Sequence, residues 1–168
     1  MGVGRLTEQK DFATLIAAFA RVRSQRESRL IILGDGGLRD ELIAQATTLG
    51  VEAHIALPGF QSNPWAWMSK AAVFALSSRW EGSPNTLTEA MALGIPVVST
   101  DCPSGPRELL DAGRLAPLLK MGDVDALASA LLSVLAEPPR SDELTEAVSV
   151  YHQDVSAATY LRTLDMST

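Results

Sequence analysis

The chain has 168 residues, enough for one domain with a sizeable core, and its 46% hydrophobic and 20% charged residues are ordinary for a globular protein. Its net charge of −6 excludes a general nucleic-acid binder, so any anion site must be local. The single cysteine, Cys102, excludes an internal disulfide and favours a reducing compartment. No signal-peptide pattern and no membrane-spanning run are recognisable, so the expected location is the cytoplasm.

Strand-like and helix-like segments alternate along the chain. The first helix is predicted in LTEQKDFATLIAAFARVRSQ, where Phe12, Leu15, Ile16, Phe19 and Val22 recur at helical spacing. Strands are predicted in RLIILGDGG, EAHIALPGF, AVFALSS and IPVVST, with LAPLL as a short edge strand. Further helices are predicted in LRDELIAQATTLG, NPWAWMSKA, SPNTLTEAMALG, SGPRELLDAG, DVDALASALLSVLAE, SDELTEAVSVYHQD and VSAATYLRTLD. This alternation predicts an α/β fold with a mostly parallel sheet covered on both faces.

The opening MGVGRL leaves only about Met1 to Val3 for a strand before the first helix. A doubly wound sheet usually places its first strand near the centre. We therefore expect the chain to be a piece of a longer protein, and we expect its sheet to be less stable than that of a longer chain.

Residues 77–101, SSRWEGSPNTLTEAMALGIPVVSTD, carry the most informative pattern, because two glutamates flank a predicted helix start. Glu89 lies about one and a half turns into the helix, where its two carboxylate oxygens can accept hydrogen bonds from a vicinal diol such as a ribose. Glu81, before the helix, can accept a hydrogen bond from a second polyol. The pair is predicted to bracket a diphosphate, with a ribose at one end and a sugar at the other.

The helix start between the two glutamates is a predicted anion site. Pro84 suits a first-turn position, because its missing N–H is not needed there. Three backbone N–H groups are then predicted to be free to bind a phosphate with the help of the helix dipole, those of Asn85, Thr86 and Leu87. Gly82 and Ser83 let a ligand approach the backbone closely.

A second loop supplies the positive charge that a diphosphate needs. In GRLTEQKD, Arg5 and Lys10 lie around another loop-to-helix junction, and Gly4 permits a tight approach. The GDGG stretch at 34–37 fails the dinucleotide fingerprint, because Arg39 stands where the third glycine belongs. It is predicted to be a strand-to-helix turn.

Several residues favour structural interpretations. Trp65 and Trp67 are expected to pack, His54 is expected to be a structural residue of a strand, and Cys102 is expected to be a small buried residue. No cluster of side chains has the spacing of metal ligands, so no metal site is predicted.

Three motifs together resemble the C-terminal donor-binding domain of group-1 (GT4-type) retaining glycosyltransferases of GT-B fold. They are GRLTEQKD, ILGDGGLRDEL, and EGSPNTLTEAMALGIPVVSTD with its Glu-x7-Glu pair. The resemblance covers nearly the whole chain and implies one domain over residues 1–168 with a Rossmann-like, doubly wound sheet, which is one half of a GT-B fold. It implies that the N-terminal acceptor domain is absent from this chain, so that the fragment alone binds donor without transferring sugar.

The resemblance implies a role for each matching residue. Arg5 and Lys10 would hold the diphosphate and stabilise the leaving group, and Glu81 would contact the transferred sugar. Glu89 would bind the ribose of the nucleotide. The other donor-contacting positions would be Gly4, Gly59, Phe60, Gly82, Ser83, Pro84, Asn85, Thr86 and Leu87, with Gly59 and Phe60 near the base.

The activity implied by the resemblance is metal-independent, retaining, hexosyltransferase-type transfer from a nucleotide-diphosphate sugar, with UDP as the first expectation and no cofactor. The acceptor would be a glycan or lipid-linked glycan in polysaccharide biosynthesis. The resemblance is also compatible with a peripheral membrane association of the parent protein. Three alternatives stay open: a noncatalytic nucleotide-sugar binding module, a sugar-nucleotide epimerase of related architecture, and a purely structural α/β domain.

Overall fold

The computed structural model describes residues 1–152, 154–157, 160 and 162. Its strands are β1 (Gly2–Val3), β2 (Leu30–Leu33), β3 (Ile55–Ala56), β4 (Phe74–Leu76), β5 (Val97–Thr100) and β6 (Leu118–Leu119). Its α-helices are α1 (Phe12–Gln25), α2 (Arg39–Thr48), α3 (Trp65–Met68), α4 (Asn85–Ala92), α5 (Pro106–Leu109), α6 (Val124–Ala136) and α7 (Ser141–Ala147). Short 3-10 turns cover Glu8–Lys10, Glu52–His54, Asp111–Gly113 and Ser149–Tyr151.

The described strands pair in parallel in two three-stranded sheets, ordered β1-β2-β3 and β4-β5-β6. The two sheets meet at β1 and β4, where the Ala75 amide donates a hydrogen bond of 2.8 Å to the Met1 carbonyl. The combined order is β3-β2-β1-β4-β5-β6, which is the strand order of the Rossmann fold. The predicted doubly wound parallel sheet is therefore confirmed, with the short β1 at its centre and β6 at an edge.

The sheet is covered on both faces, because alternate strand residues point to opposite sides. Ala75 and Val98 lie in a core formed with α1, α2 and α6, whereas Phe74 and Val97 lie in a core formed with α3, α4, α5 and α7. The predicted apolar face of α1 is confirmed, since its residues are each at most 5% exposed: Phe12, Leu15, Ile16, Phe19 and Val22.

The glycine-rich turn after β2 packs backbone against backbone on the loop after β1. A Cβ atom on Gly34 would lie 1.9 Å from the Gly4 carbonyl oxygen, and one on Gly36 would lie 2.4 Å from the Leu6 carbonyl oxygen. The Leu6 amide donates to the Asp35 carbonyl at 2.9 Å. The predicted strand-to-helix turn is confirmed, and these two glycines are required by the close approach of the two loops.

Three expectations about local structure were wrong. His54 lies in a 3-10 turn, because its amide donates to the Val51 carbonyl at 2.9 Å and the strand begins only at the next residue. Trp65 and Trp67 are not fully packed, since they are 49% and 39% exposed. The helix predicted over 141–154 ends early, at Ala147, and is followed by a 3-10 turn.

Two further expectations concern the end of the chain and the buried thiol. The last predicted helix, over 155–165, falls largely outside the described residues and stays a prediction. Cys102 is 3% exposed, as expected, and burial raises the pKa of its thiol above the ordinary value. None of the helices in the described ranges is long and apolar enough to cross a membrane.

Candidate functional site

The candidate site lies at the point where the strand order reverses. Strands β1 and β4 are neighbours at the centre, and β2 and β5 continue the order away from them in opposite directions. In doubly wound sheets, ligands bind in the crevice beyond the carboxyl ends of the strands at this switch point. The loop at 4–11 follows β1 and the loop at 77–84 follows β4, so the two predicted site motifs meet here.

The two loops are joined by hydrogen bonds. The buried Ser77 hydroxyl donates to the Lys10 carbonyl at 2.7 Å. The Arg79 amide donates to the Gln9 carbonyl at 2.8 Å, and the Gln9 side-chain amide donates to the Trp80 carbonyl at 3.0 Å. Because these bonds connect positions about 70 apart in sequence, the relative placement of the two motifs is fixed by tertiary contacts.

Asp11 fixes the direction of the chain just after Lys10. It has a left-handed backbone with φ of 45° and ψ of 47°, a region that aspartate tolerates better than most residues. One carboxylate oxygen accepts from the Thr14 amide at 3.3 Å and caps α1, and the other accepts from the Arg79 guanidinium at 3.2 Å. Asp11 therefore starts the helix and also ties it to the loop after β4.

Lys10 and Glu81 form a buried ion pair. The Lys10 ammonium lies 2.6 Å from Oε1 of Glu81, and the two side chains are 14% and 4% exposed. A Cβ atom on Gly4 would lie 2.9 Å from Cε of Lys10, so the missing side chain of Gly4 leaves room for the lysine. The sequence predicted these three residues as contacts of a ligand, and in the structure they contact one another.

Arg5, the other predicted cation, is exposed on the same loop. Within the part of the chain that the structure describes, its guanidinium has no hydrogen-bond or ion-pair partner. Arg5 is therefore accessible to an anion that approaches the loop from solvent.

The helix start differs from the expectation in its register. Helix α4 begins at Asn85, so Pro84 is its N-cap residue and not a first-turn residue. The Asn85 amide donates to the Ser83 carbonyl and the Leu87 amide donates to the Pro84 carbonyl, both at 2.9 Å. The prediction that these two amides are free was wrong, because a tight turn at Pro84 uses them locally.

The prediction of a free amide at Thr86 is confirmed, and two further amides are left for an anion. Over the described residues, the N–H groups of Gly82, Ser83 and Thr86 have no hydrogen-bond acceptor. The Thr86 hydroxyl is also buried and has no partner there. Buried polar groups without partners cost free energy and usually find a water or a ligand. Free donors are thus concentrated around Thr86, at the dipole-positive end of an eight-residue helix.

A cavity of about 650 Å³ opens beside this helix start. Five of the residues that line it were predicted to contact the donor, namely Gly82, Ser83, Pro84, Asn85 and Glu89. The other lining residues, for which the sequence predicted no ligand role, are Thr88, Ser104, Gly105, Glu108, Leu109 and Tyr151. The volume is in the range that small-molecule and cofactor sites occupy.

The SGP turn after β5 shapes one wall of this cavity. Ser104 and Gly105 have φ of 68° and 99°, and a Cβ atom on Gly105 would lie 2.4 Å from Cδ of Pro84. Gly105 is therefore needed for the turn to reach the start of α4. The only sequence signal for this was a glycine before a helix, which does not identify what the glycine touches.

Glu89 is half-buried on the cavity side of α4. Burial raises the pKa of its carboxyl above the ordinary value, because desolvation disfavours the charged form, and interaction with the Trp65 side chain offsets part of the rise. A carboxylate that is incompletely solvated and beside a cavity is suited to accept hydrogen bonds from a diol.

Gly59 and Phe60, predicted near a base, lie on the far side of the sheet centre. The Gly59 carbonyl accepts from the Gly34 amide at 2.9 Å, and Phe60 is 76% exposed. Three strand spacings separate β3 from β4, which is about 14 Å. Neither residue lines the cavity at α4, and their contact with a base stays a prediction.

A second cavity, of about 720 Å³, lies at the opposite, amino ends of β2 and β4. Its walls are mostly apolar and include none of the predicted site residues. The ion pair of Lys10 with Glu81 and the free amides around the start of α4 lie at the other, carboxyl ends of the strands, so the candidate site is assigned there. The described residues contain no group of three or more His, Cys, Asp or Glu placed to hold a metal ion.

Comparison with known proteins identifies the family. A family model described as glycosyl transferases group 1 matches residues 1–149. An uncharacterized glycosyltransferase of Methanocaldococcus jannaschii is 45% identical over 111 residues, which are 66% of this chain and 27% of that protein. The N-acetylgalactosamine-N,N'-diacetylbacillosaminyl-diphospho-undecaprenol 4-alpha-N-acetylgalactosaminyltransferase of Campylobacter jejuni is 37% identical over 137 residues, 82% of this chain and 37% of that protein.

The structure of Anabaena HepE in complex with UDP matches with a TM-score of 0.82 and 26% identity, over 99% of this chain and 47% of that one. The chain thus spans less than half of the length of each of these three proteins. Its sheet and helices are those of one half of a GT-B glycosyltransferase. The family match over residues 1–149, joined to this fold and to the paired motifs at the switch point, establishes that the chain belongs to the group 1 glycosyltransferase family.

Proposed function

We propose that this domain binds the nucleotide diphosphate of a sugar donor and is the donor-binding half of a retaining, GT4-type glycosyltransferase. The observation that carries the proposal is the meeting of Lys10 with the loop that leads into α4, at the switch point of the sheet. That loop has amide donors without acceptors in the described chain, beside a cavity of nucleotide size. A UDP complex of a protein that shares this fold supports UDP as the nucleotide.

Each charged residue has a proposed role. Lys10 and Arg5 bind the diphosphate, and the amides of Gly82, Ser83 and Thr86 complete its binding site. Together they stabilise the charge that develops on the leaving group, so no metal is assigned. Glu89 accepts hydrogen bonds from the ribose, and Glu81 accepts one from the transferred sugar.

The proposed reaction is a front-side displacement. The bond between the anomeric carbon and the diphosphate oxygen breaks, and the acceptor hydroxyl oxygen bonds to the same face of the sugar. The hydroxyl proton passes to the leaving diphosphate. The acceptor site is assigned to an N-terminal domain outside this chain, so the chain alone is expected to bind donor without transferring sugar.

The proposed acceptor is a glycan or a lipid-linked glycan. The name of the Campylobacter jejuni relative places its substrate on diphospho-undecaprenol, and a 36% identical Salmonella typhimurium relative is a lipopolysaccharide galactosyltransferase. A cytoplasmic location with peripheral membrane association of the whole protein is proposed on the same grounds. The single buried cysteine is consistent with a reducing compartment.

Calorimetric titration of the chain with UDP, GDP and ADP tests the donor site. Lys10→Met is expected to weaken the bound nucleotide about 10- to 100-fold, because a charge-assisted contact to phosphate is lost. Glu89→Gln is expected to lower the affinity for that nucleotide roughly 5- to 30-fold, because the carboxylate contact to the ribose is weakened. Matched controls are Lys70→Met, beside the opposite cavity, and Glu137→Gln, at the end of α6.

Circular dichroism at the assay temperature confirms that each variant is folded. Absence of binding by all three nucleotides, or equal losses in the controls, would refute the donor site. Joining the chain to the N-terminal half of its parent then separates the enzyme from a noncatalytic binding module, since only the enzyme transfers sugar to an acceptor.

A further inference from the structure

Ser78 is buried between the sheet and the candidate site, and neither the motif nor the proposed reaction assigns it a role. It is 0% exposed and follows β4 by two positions. Its carbonyl accepts a hydrogen bond of 2.6 Å from the buried hydroxyl of Thr100, at the end of the neighbouring strand. The backbone of Ser78 is thus held by β5, which is itself part of the sheet.

The side chain of Ser78 contacts the carboxylate of the buried ion pair. Its hydroxyl donates to Oε1 of Glu81 at 2.6 Å, and the Lys10 ammonium donates to the same oxygen at 2.6 Å. An ammonium is a compact charge with three rotatable donors and fixes the orientation of a carboxylate poorly by itself. The second donor, on a buried residue, therefore fixes the orientation of the carboxylate plane, with one oxygen toward Lys10 and the other turned away from it.

The arrangement leaves the other oxygen available. Oε2 of Glu81 has no hydrogen-bond partner among the positions that the structure describes. Oε2 is also not among the described side-chain atoms that are both fully buried and unpaired, so it keeps some solvent access. With Oε1 occupied by two donors, Oε2 is the oxygen that a sugar hydroxyl can reach.

We propose that Ser78 is a positioning residue of the donor site, which orients Glu81 so that Oε1 holds Lys10 and Oε2 accepts from the sugar. The part that concerns the sugar rests on the proposed function. The part that concerns Lys10 is a property of the ligand-free chain, so it can be measured without any nucleotide. Ser78 acts on the donor only through Glu81 and Lys10.

The first test is competitive acetylation of the ligand-free chain, read by mass spectrometry. The chain has three lysines, and the exposed Lys70 and Lys120 serve as internal references for Lys10. Ser78→Ala is expected to raise the acetylation rate of Lys10 roughly tenfold relative to the references, since a charge-assisted hydrogen bond is lost. Ser99→Ala is the matched control, because Ser99 is also 0% exposed but, among the described residues, its hydroxyl bonds only to the Thr100 carbonyl.

A double-mutant comparison separates positioning from loosening of the fold. Glu81→Gln is expected to raise Lys10 acetylation by itself, and adding Ser78→Ala to it is expected to change the rate no further. A Ser78→Ala rate equal to that of Ser99→Ala would overturn the proposal. Equal increases in wild-type and Glu81→Gln backgrounds would overturn it as well, because Ser78 would then act independently of Glu81.

Titration with UDP provides the second readout. Ser78→Ala is expected to lower the affinity for UDP roughly three- to tenfold, whereas Ser99→Ala is expected to leave it unchanged. Unchanged UDP affinity in Ser78→Ala would overturn the link between Ser78 and the donor. Failure of the wild-type chain to bind UDP, GDP and ADP would refute the proposed function, and the acetylation result would still decide whether Ser78 positions Glu81 and Lys10.

Discussion

Removal of Lys10 alone from the buried ion pair is expected to cost more stability than removal of both partners. Lys10→Met leaves the Glu81 carboxylate, whose side chain is 4% exposed, with the Ser78 hydroxyl as its one remaining partner in the described chain. Breaking a buried pair in this way costs about 3 kcal/mol, because a buried charge loses its compensation. For a domain of this size, that loss lowers Tm by about 6–12 °C.

Substitution of the other partner, Glu81→Gln, is expected to lower the free energy of unfolding by less. The Lys10 side chain is 14% exposed, so its ammonium can turn toward water when the carboxylate is gone. The cost expected is about 1–2 kcal/mol. In the double variant no charge is buried without a partner, so its stability is expected to exceed that of Lys10→Met alone, with a coupling energy of about 3 kcal/mol.

Urea unfolding followed by far-ultraviolet circular dichroism measures all four free energies of unfolding. Asp142→Asn, which breaks the exposed pair with Arg140, is the control and is expected to leave the midpoint unchanged. Additive losses in the double variant would refute the reasoning, since they would mean that Lys10 and Glu81 do not compensate each other.

Two further predictions follow from the site and the fold. The pKa of Glu89 is raised in the folded state, so protonation of this carboxyl favours folding. This stabilisation is fully present below the pKa of the unfolded state and is lost as the pH rises through the pKa of the folded state. Glu89→Gln should therefore raise Tm at pH 7 while weakening UDP, with the gain shrinking toward pH 4; a lower Tm at both pH values would contradict this. Gly34→Ala should lower the free energy of unfolding, measured in urea, by at least about 3 kcal/mol. The reason is that φ of Gly34 is +132° and the new Cβ would lie 1.9 Å from the Gly4 carbonyl oxygen. Gly37→Ala, with no atom within 4 Å of the added carbon, is its control and should be nearly neutral.

The order of strands and helices could be predicted from the sequence because it depends on local patterns. The apolar spacing of α1 and the buried runs of the strands report which faces meet a core. The Glu-x7-Glu motif placed Glu81 and Glu89 on either side of a helix start, and α4 does begin between them. The register at Pro84 could not be predicted, because one residue decides which amides a turn consumes.

The sequence by itself determined the α/β class, the alternation of elements, the family resemblance and the candidate residues. Only the tertiary structure decided which of those residues meet. Lys10 and Glu81 are 71 positions apart and pair because β1 and β4 are neighbours in the sheet. Ser78 and Gly34 owe their importance to atoms of distant loops, which no local periodicity describes. Periodicity reports how a segment is buried, whereas a binding site depends on which loops the strand order brings together.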